Sequence, residues 1–422
     1  MRLVMANWGR RGDIEPCVAV GRELLRRGHE VQIAVPPDLV AFAESAGLKT
    51  VACGPDTHAI MAVTREYWTC FFASPWRIRE LGRMRREVEE GIRECWVGMS
   101  TTLSALADEA DVLFIGVNFE VAAANIAEAH GIPLVTLHWF PVRARSQLVP
   151  FLPAPLGRLM TSAFWWLSWL GSRKVEDAQR RELGLPRAIA PVQKRIAERG
   201  WLEIQAYDEV CFPGLAAEWG KAAAHRPFTG ALTMELPTDA DEEVASWIAA
   251  GTPPVCFSFG SISVESAADT LAMISAACAR LGERALVCAA GTDFGSVPGA
   301  DHVKVVGTVN YAAIFPSCRA VVHHGGAGTT AAGLRAGVPA LILWTLPDQP
   351  LWGAAIKRLK VGTARRLSAT TEESLVVDLR TILAGDYVAR AREIATRMTK
   401  PTESVAAAAD LVEDFARLKR VV

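Results

Sequence analysis

The run AVVHHGGAGTTAAGLRAGVPALILWTLPDQ, residues 320–349, constrains the fold of this chain more than any other stretch. Its apolar opening, 320–322, predicts a buried strand that ends in a pair of histidines. A glycine-rich turn, 325–328, follows, and Thr329 and Thr330 lead into an Ala/Leu-rich helix closed by Gly337 and Pro339. A glycine turn between strand and helix lets backbone N–H groups and the positive helix end approach a phosphate without Cβ obstruction. A tight turn whose glycines serve only packing is the alternative, and the His-His pair with its threonines favours a site.

The rest of the chain must supply the domains that carry such a turn. Its 422 residues allow two or three domains, and 50% hydrophobic with 22% charged residues describes a globular protein. A net charge of −1 without a long basic run excludes a nucleic-acid partner of the backbone-binding kind. Nine scattered cysteines, odd in number and never spaced C-x-x-C, read as small hydrophobes in a reducing compartment, with neither a disulfide frame nor a metal site. With no signal peptide in its opening residues, the chain is expected to be cytoplasmic.

Strands are predicted at 2–6, 31–35, 50–52, 112–115 and 134–137, with helices at 17–27 and 119–130 between them. A second series follows, with strands at 255–258, 285–288, 303–306 and 320–322, a glycine turn (Phe259 to Ser261) after the first of these, and a final amphipathic helix at 405–418. Both series read as β-α-β units of doubly wound parallel sheets, which bind ligands beyond the C-terminal strand ends. The weak pattern around 207–230 is taken as the joint between them. The expected division is 1–215, a linker at 216–230, 231–402, and a helix at 403–422 returning to the first domain.

Two aromatic segments stand out in the N-terminal half. YWTCFFASPW (67–76) holds five aromatics in ten residues, and 151–170 is apolar with three tryptophans. The second is as long as a membrane span, but two prolines and Arg158 argue for an amphipathic helix beside an apolar cleft or at a membrane interface. Ordinary core packing is the competing reading.

The polar residues suit a nucleotide diphosphate sugar. Residues 325–329 offer N–H donors, Ser261 a hydroxyl and a histidine a further hydrogen bond. Asp348 and Gln349 arrive at the same sheet edge, where a carboxylate beside a carboxamide binds vicinal hydroxyls. Helix capping would also explain Asp348. Asp13 follows the glycine turn with Arg10 and Arg11, where it is either a cap or a base, although a helix N-terminus and two arginines lower a carboxylate pKa.

GRRGDIEP near the N-terminus, the FGS turn, HHGGAGTT and PDQP together resemble the family 1 glycosyltransferases of actinobacterial type, those of glycopeptide antibiotics and mycobacterial glycolipids. The resemblance runs in order and spacing from Arg2 to about Leu418. It implies a GT-B fold: α/β, two Rossmann-like domains facing a cleft, acceptor on the N-terminal side and nucleotide sugar on the other. It further implies a metal-independent, cofactor-free inverting transfer with Asp13 as general base. Arg11, Gly12, Ser261, Val309, His324, Gly325, Gly326, Ala327, Gly328, Thr329, Asp348 and Gln349 would bind the donor. Val309 would lie near the nucleobase, and Trp68, Phe72, Trp139 and Trp165 would meet the acceptor. Arg10 departs from the pattern, where serine is usual.

The expected donor is a dTDP- or UDP-linked sugar, first a 6-deoxyhexose such as rhamnose. The expected acceptor is hydrophobic, a glycolipid or lipopeptide, with peripheral contact at the inner face of the plasma membrane. An antibiotic or macrocycle acceptor is the alternative. Gly326-x-Gly328-x-x-Ala331 with Asp348 downstream also fits a dinucleotide fingerprint, so an NAD-dependent oxidoreductase competes, as does a sugar-nucleotide 2-epimerase.

Overall fold

The computed structural model describes residues 1–143, 153–260, 266–289 and 300–420. The chain divides into two compact units, Met1–Tyr67 with Ser74–Thr233 and Pro401–Val422, and Trp68–Ala73 with Met234–Lys400.

In the first unit, β1 (Arg2–Ala6), β2 (Glu30–Val35), β3 (Lys49–Ala52), β4 (Val112–Gly116), β5 (Leu134–His138) and β6 (Leu202–Gln205) form one sheet in the order β3-β2-β1-β4-β5-β6. All five pairings are parallel. Covered on both faces by helices, β4 (VLFIG) and β5 (LVTLH) are buried throughout, which is why β4 reads as an unbroken apolar run and β5 shows no polar alternation beyond Thr136 and His138, themselves buried. In the second unit, β7 (Val255–Ser258), β8 (Ala285–Cys288), β9 (Val303–Val306), β10 (Ala320–His323), β11 (Ala340–Trp344) and β12 (Gly362–Arg366) run β12-β11-β10-β7-β8-β9. Numbered within its own unit this is the order of the first sheet. Each unit is therefore doubly wound, and the strand order reverses between β1 and β4 and between β7 and β10. Ligands of such sheets bind where the order reverses, outside the C-terminal strand ends.

Several elements differ from those expected. The first helix spans Arg11–Arg26, beginning ahead of Pro16 and running through it. Proline there removes the bond to the carbonyl of Gly12, an exposed residue whose carbonyl water can reach. The helix Thr57–Ala73, not read from sequence, and the helix Ile78–Ala107, whose stretch 77–93 of alternating arginine and glutamate reads from sequence as a solvated helix face, fill the long gap before β4, and β6 extends the first sheet by a strand. The apolar segment after residue 153 belongs to a helix, Ala154–Glu182, while 151 and 152 lie outside the described residues. Residues 216–230 are packed and not extended: Trp219 stacks on Phe228 at 5.4 Å, and Tyr207 is buried against both Phe212 and Phe228.

The helix Pro401–Arg420 completes the first unit. It buries Ala408, Ala409, Val412 and Phe415 and packs on the helix Arg11–Arg26. At that helix's C-terminal end Arg27 binds Asp410 at 2.6 Å and Glu413 at 2.9 Å, and His29 meets Glu413 at 2.6 Å.

Candidate active site

At the reversal point of the second unit, β10 ends in His323, which is fully buried. Its Nδ1 accepts a hydrogen bond from the Gly325 N–H at 3.1 Å, so the ring proton sits on Nε2. Nε2 has no partner among the described residues. Burial, with a smaller push from His324, lowers the pKa of His323 to about 3, so the ring stays neutral. This residue was not among those singled out from sequence. An apolar strand ending in two histidines was the available signal, and only the structure separates their roles.

Gly325 adopts φ +96°, and a Cβ there would stand 2.8 Å from Ile342 and 3.1 Å from the Cβ of Gln349. No side chain fits. The His324 ring lies between two further glycines: a Cβ on Gly326 would meet its Nε2 at 2.6 Å, and one on Gly260 (φ +59°) its Cε1 at 2.7 Å. The turns after β7 and β10 are thus drawn together around one imidazole. Ser261, expected to face this turn, lies outside the described residues.

Gly326 is the N-cap of the helix Ala327–Ala336, and Thr330 Oγ1 bonds back to its carbonyl at 2.8 Å. The N–H groups of Ala327, Gly328 and Thr329, in the first turn, have no carbonyl within the helix to bind. Gly328 is exposed, and Ala327 and Thr329 are half-buried. Here a ligand phosphate can take the N–H groups and the helix dipole together.

Gln349 is buried, and its Oε1 accepts from the N–H groups of Thr345 at 2.7 Å and Leu346 at 3.0 Å. The carboxamide oxygen is therefore committed to the turn after β11, and the NH₂ is the part left for a ligand. Asp348 is half-buried at the N-cap of the helix Gln349–Leu359 without capping it through its side chain. Val309 packs among Ile314, Phe315 and Cys318, so only its backbone can face a nucleobase. The aromatic run at the end of the helix Thr57–Ala73 falls in the second unit. There Phe72 stacks on Trp68 at 5.7 Å and meets the Trp344 edge at 5.4 Å, and Arg366 binds the Phe72 carbonyl at 2.6 Å.

The reversal point of the first unit carries Asp13. It lies in the first turn of the helix Arg11–Arg26, half-buried, and its Oδ2 accepts from the Arg10 N–H at 2.8 Å. The carboxylate thus caps the helix through one oxygen. Gly9 leaves room for it, since a Cβ there would meet Oδ2 at 2.4 Å. Buried Asn7 locks the turn by donating to the Asp13 carbonyl at 2.6 Å and accepting from the Trp8 N–H at 2.9 Å. Arg11 turns to Glu15 (3.5 Å) and the Phe42 ring (4.6 Å), and Gly12 is exposed. Trp139 is buried beside Phe140, whereas Trp165 is half-buried on the helix Ala154–Glu182.

For a metal, Glu120, His138 and Glu203 bring ligand atoms within 4.8 Å of one another. Arg143 binds both carboxylates, however, and holds them as ion pairs. Burial alone would raise Glu120, but Arg143 and His138 more than reverse it and hold it at about 2.

Two doubly wound units, with glycine turns at both reversal points and an open helix N-terminus in the second, define a GT-B glycosyltransferase fold. Residues 3–149 match the glycosyltransferase family 28 N-terminal domain, and 261–416 match the erythromycin biosynthesis protein CIII-like C-terminal domain. An uncharacterized glycosyltransferase of Mycobacterium tuberculosis is 57% identical over 422 residues, covering 100% of both chains. The chain belongs to this glycosyltransferase family. Among solved structures, the calicheamicin glycosyltransferase CalG4 shares the fold with a TM-score of 0.70 at 17% identity, covering 98% of each chain. The glycosyltransferase VinC, solved in complex with dTDP, does so with a TM-score of 0.65 at 20% identity and 100% coverage of both. The chain is therefore an enzyme that transfers a sugar, not an oxidoreductase. Among the described residues no helix is long and apolar enough to cross a membrane.

Proposed function

We propose that the enzyme carries out a metal-independent, inverting transfer of a 6-deoxyhexose such as rhamnose. The sugar moves from a nucleoside diphosphate, dTDP before UDP, to a hydroxyl of a hydrophobic acceptor, a glycolipid or lipopeptide. The observation that carries this is the cradle around His324, two glycine turns and a helix N-terminus whose first N–H groups are open. As the bond to the anomeric carbon breaks, negative charge grows on the leaving diphosphate. Fixed N–H dipoles stabilise it without reorganising. His324, Gly325, Gly326, Gly328 and Thr329 hold the diphosphate, and Asp348 with the Gln349 NH₂ holds the sugar hydroxyls. Asp13 takes the acceptor proton late in the displacement, through the carboxylate oxygen that does not cap the helix. The dTDP complex of VinC supports trying dTDP sugars first. Leu159, Phe164, Trp166 and Leu167, exposed along the helix Ala154–Glu182, support an apolar acceptor and peripheral contact with lipid.

Asp13→Asn tests the base while keeping an oxygen to cap the helix. Transfer is expected to fall at least about a hundredfold with nucleotide binding retained. Undiminished turnover would remove Asp13 from the mechanism. A mass-spectrometric screen of dTDP and UDP sugars against lipid extracts tests donor and acceptor, and product formed only with polar acceptors would overturn the acceptor class.

A further inference from the structure

The first unit holds a cavity of about 480 Å³ between the helix Ala154–Glu182, the segment before and within the helix Val192–Glu198, and residues 218–226. Trp165, Trp166 and Trp219 give it aromatic walls, and Arg143 and Arg226 face it from the sheet side. Both arginines are 7% exposed, which is unusual for guanidinium groups unless every N–H is matched.

They are only partly matched. A guanidinium has five N–H donors. Arg143 gives Nε to Glu203 and Nη2 to both oxygens of Glu120, at 2.9 and 2.8 Å. Its Nη1 makes no hydrogen bond among the described residues. Arg226 gives Nε to Glu203 at 2.7 Å and sets its guanidinium over the Trp219 ring at 5.5 Å. Neither of its Nη atoms makes a hydrogen bond among the described residues. Trp219 donates its Nε1 to the Arg143 carbonyl at 3.1 Å, so the indole and both cations are fixed relative to one another. Three unmatched guanidinium nitrogens thus border an aromatic cavity whose volume suits a small molecule.

We infer that this cavity binds an apolar acid, an aliphatic or aromatic body carrying one carboxylate or phosphate. The acid accepts the free N–H groups of Arg143 and Arg226, and the body lies against Trp165, Trp166 and Trp219. An anion is the ligand that satisfies these donors with charge-assisted bonds, and a neutral body is what the indole walls solvate. Reading this molecule as part of the sugar acceptor rests on the transferase proposal above, whereas the binding itself does not.

Intrinsic tryptophan emission of the full chain, titrated with decanoate, decanol and decyl phosphate, tests the inference. Decanoate is expected to bind at least about tenfold more tightly than decanol, the contribution of one charge-assisted hydrogen bond. Decyl phosphate binding above decanoate names phosphate as the natural head group, and below it carboxylate; either supports an acid site. Arg226→Gln should bring decanoate down to the level of decanol. Ala222→Phe, which fills the cavity without touching the ion pairs, should weaken every probe at least about tenfold. Equal affinity for decanoate and decanol in the unaltered protein, or binding indifferent to Ala222→Phe, overturns it. Because none of these readouts requires sugar transfer, an enzyme that binds decanoate but moves no sugar would refute the proposed function and leave the acid site standing.

Discussion

At the scale of single residues, the two histidines of the glycine turn divide the work. His323 is buried and neutral, and its Nδ1 sets the direction of the Gly325 N–H. His323→Asn can keep an acceptor near that position, whereas His323→Phe removes it. We expect the Phe variant to bind dTDP about tenfold more weakly, one lost hydrogen bond's worth of positioning, and the Asn variant to recover most of the loss in isothermal titration. The pH dependence has a definite sign. His323 is depressed in the folded protein to about 3, while the unfolded chain takes up the proton near the usual histidine pKa of about 6.5. Its contribution is fully present above about pH 6.5 and is lost as pH falls towards 3. Replacing it with Asn should flatten the fall in unfolding temperature between pH 7 and 5. Gly325→Ala meets both a positive φ and a close contact with Ile342, so a loss of about 1–3 kcal/mol in denaturant unfolding is expected, with weakened nucleotide binding. The backbone of this site was legible in sequence, because glycines and a cap report on backbone geometry. Side-chain commitments were not: nothing in PDQP shows that Gln349 points its oxygen at Thr345 and Leu346, and nothing near Val309 shows that it faces the core.

Elements were legible where they are short and apolar. β4, buried on both faces, announces itself as a run of apolar residues, and β5 as Leu134, Val135 and Leu137 around one threonine. The helix Thr57–Ala73 did not, and of the helix Ile78–Ala107 only the charged stretch 77–93 did. The first gathers its aromatics in its last two turns, and the second carries Arg/Glu pairs such as Arg83 with Glu87 and Arg85 with Glu89 in its first half and buries Cys95, Met99 and Leu103 in its second. β6 was hidden because LEIQ contains Glu203 and Gln205, polar residues that are buried only because Arg143, Arg226 and Tyr207 meet them. The helix Pro401–Arg420 allows a direct test of element packing. Phe415 is buried, and Phe415→Ala should destabilise the first unit by about 3 kcal/mol, measured as a shift in its unfolding midpoint. An unchanged midpoint would mean that the helix does not dock in solution.

For the whole molecule, the repeated strand order explains why the fold class could be read. A doubly wound sheet leaves the same signature each time, an apolar run followed by a glycine turn, and it occurs twice. The boundary carries no such mark, because residues 206–233 remain packed in the first unit and the change to the second comes after Thr233. Since each unit has its own sheet and core, calorimetry should resolve two unfolding transitions, and dTDP should raise the one belonging to the unit that binds it. A single transition that moves as a whole would show the units to be thermodynamically one.

The first unit is interrupted by the second, and this sets an order on the ribosome. Residues 234–400 are synthesised before the helix Pro401–Arg420. Until that helix emerges, the groove on the helix Arg11–Arg26 lies open and Arg27 lacks Asp410 and Glu413. The earlier half of the protein is therefore the later to be finished, since its last helix is the last part of the chain to be made.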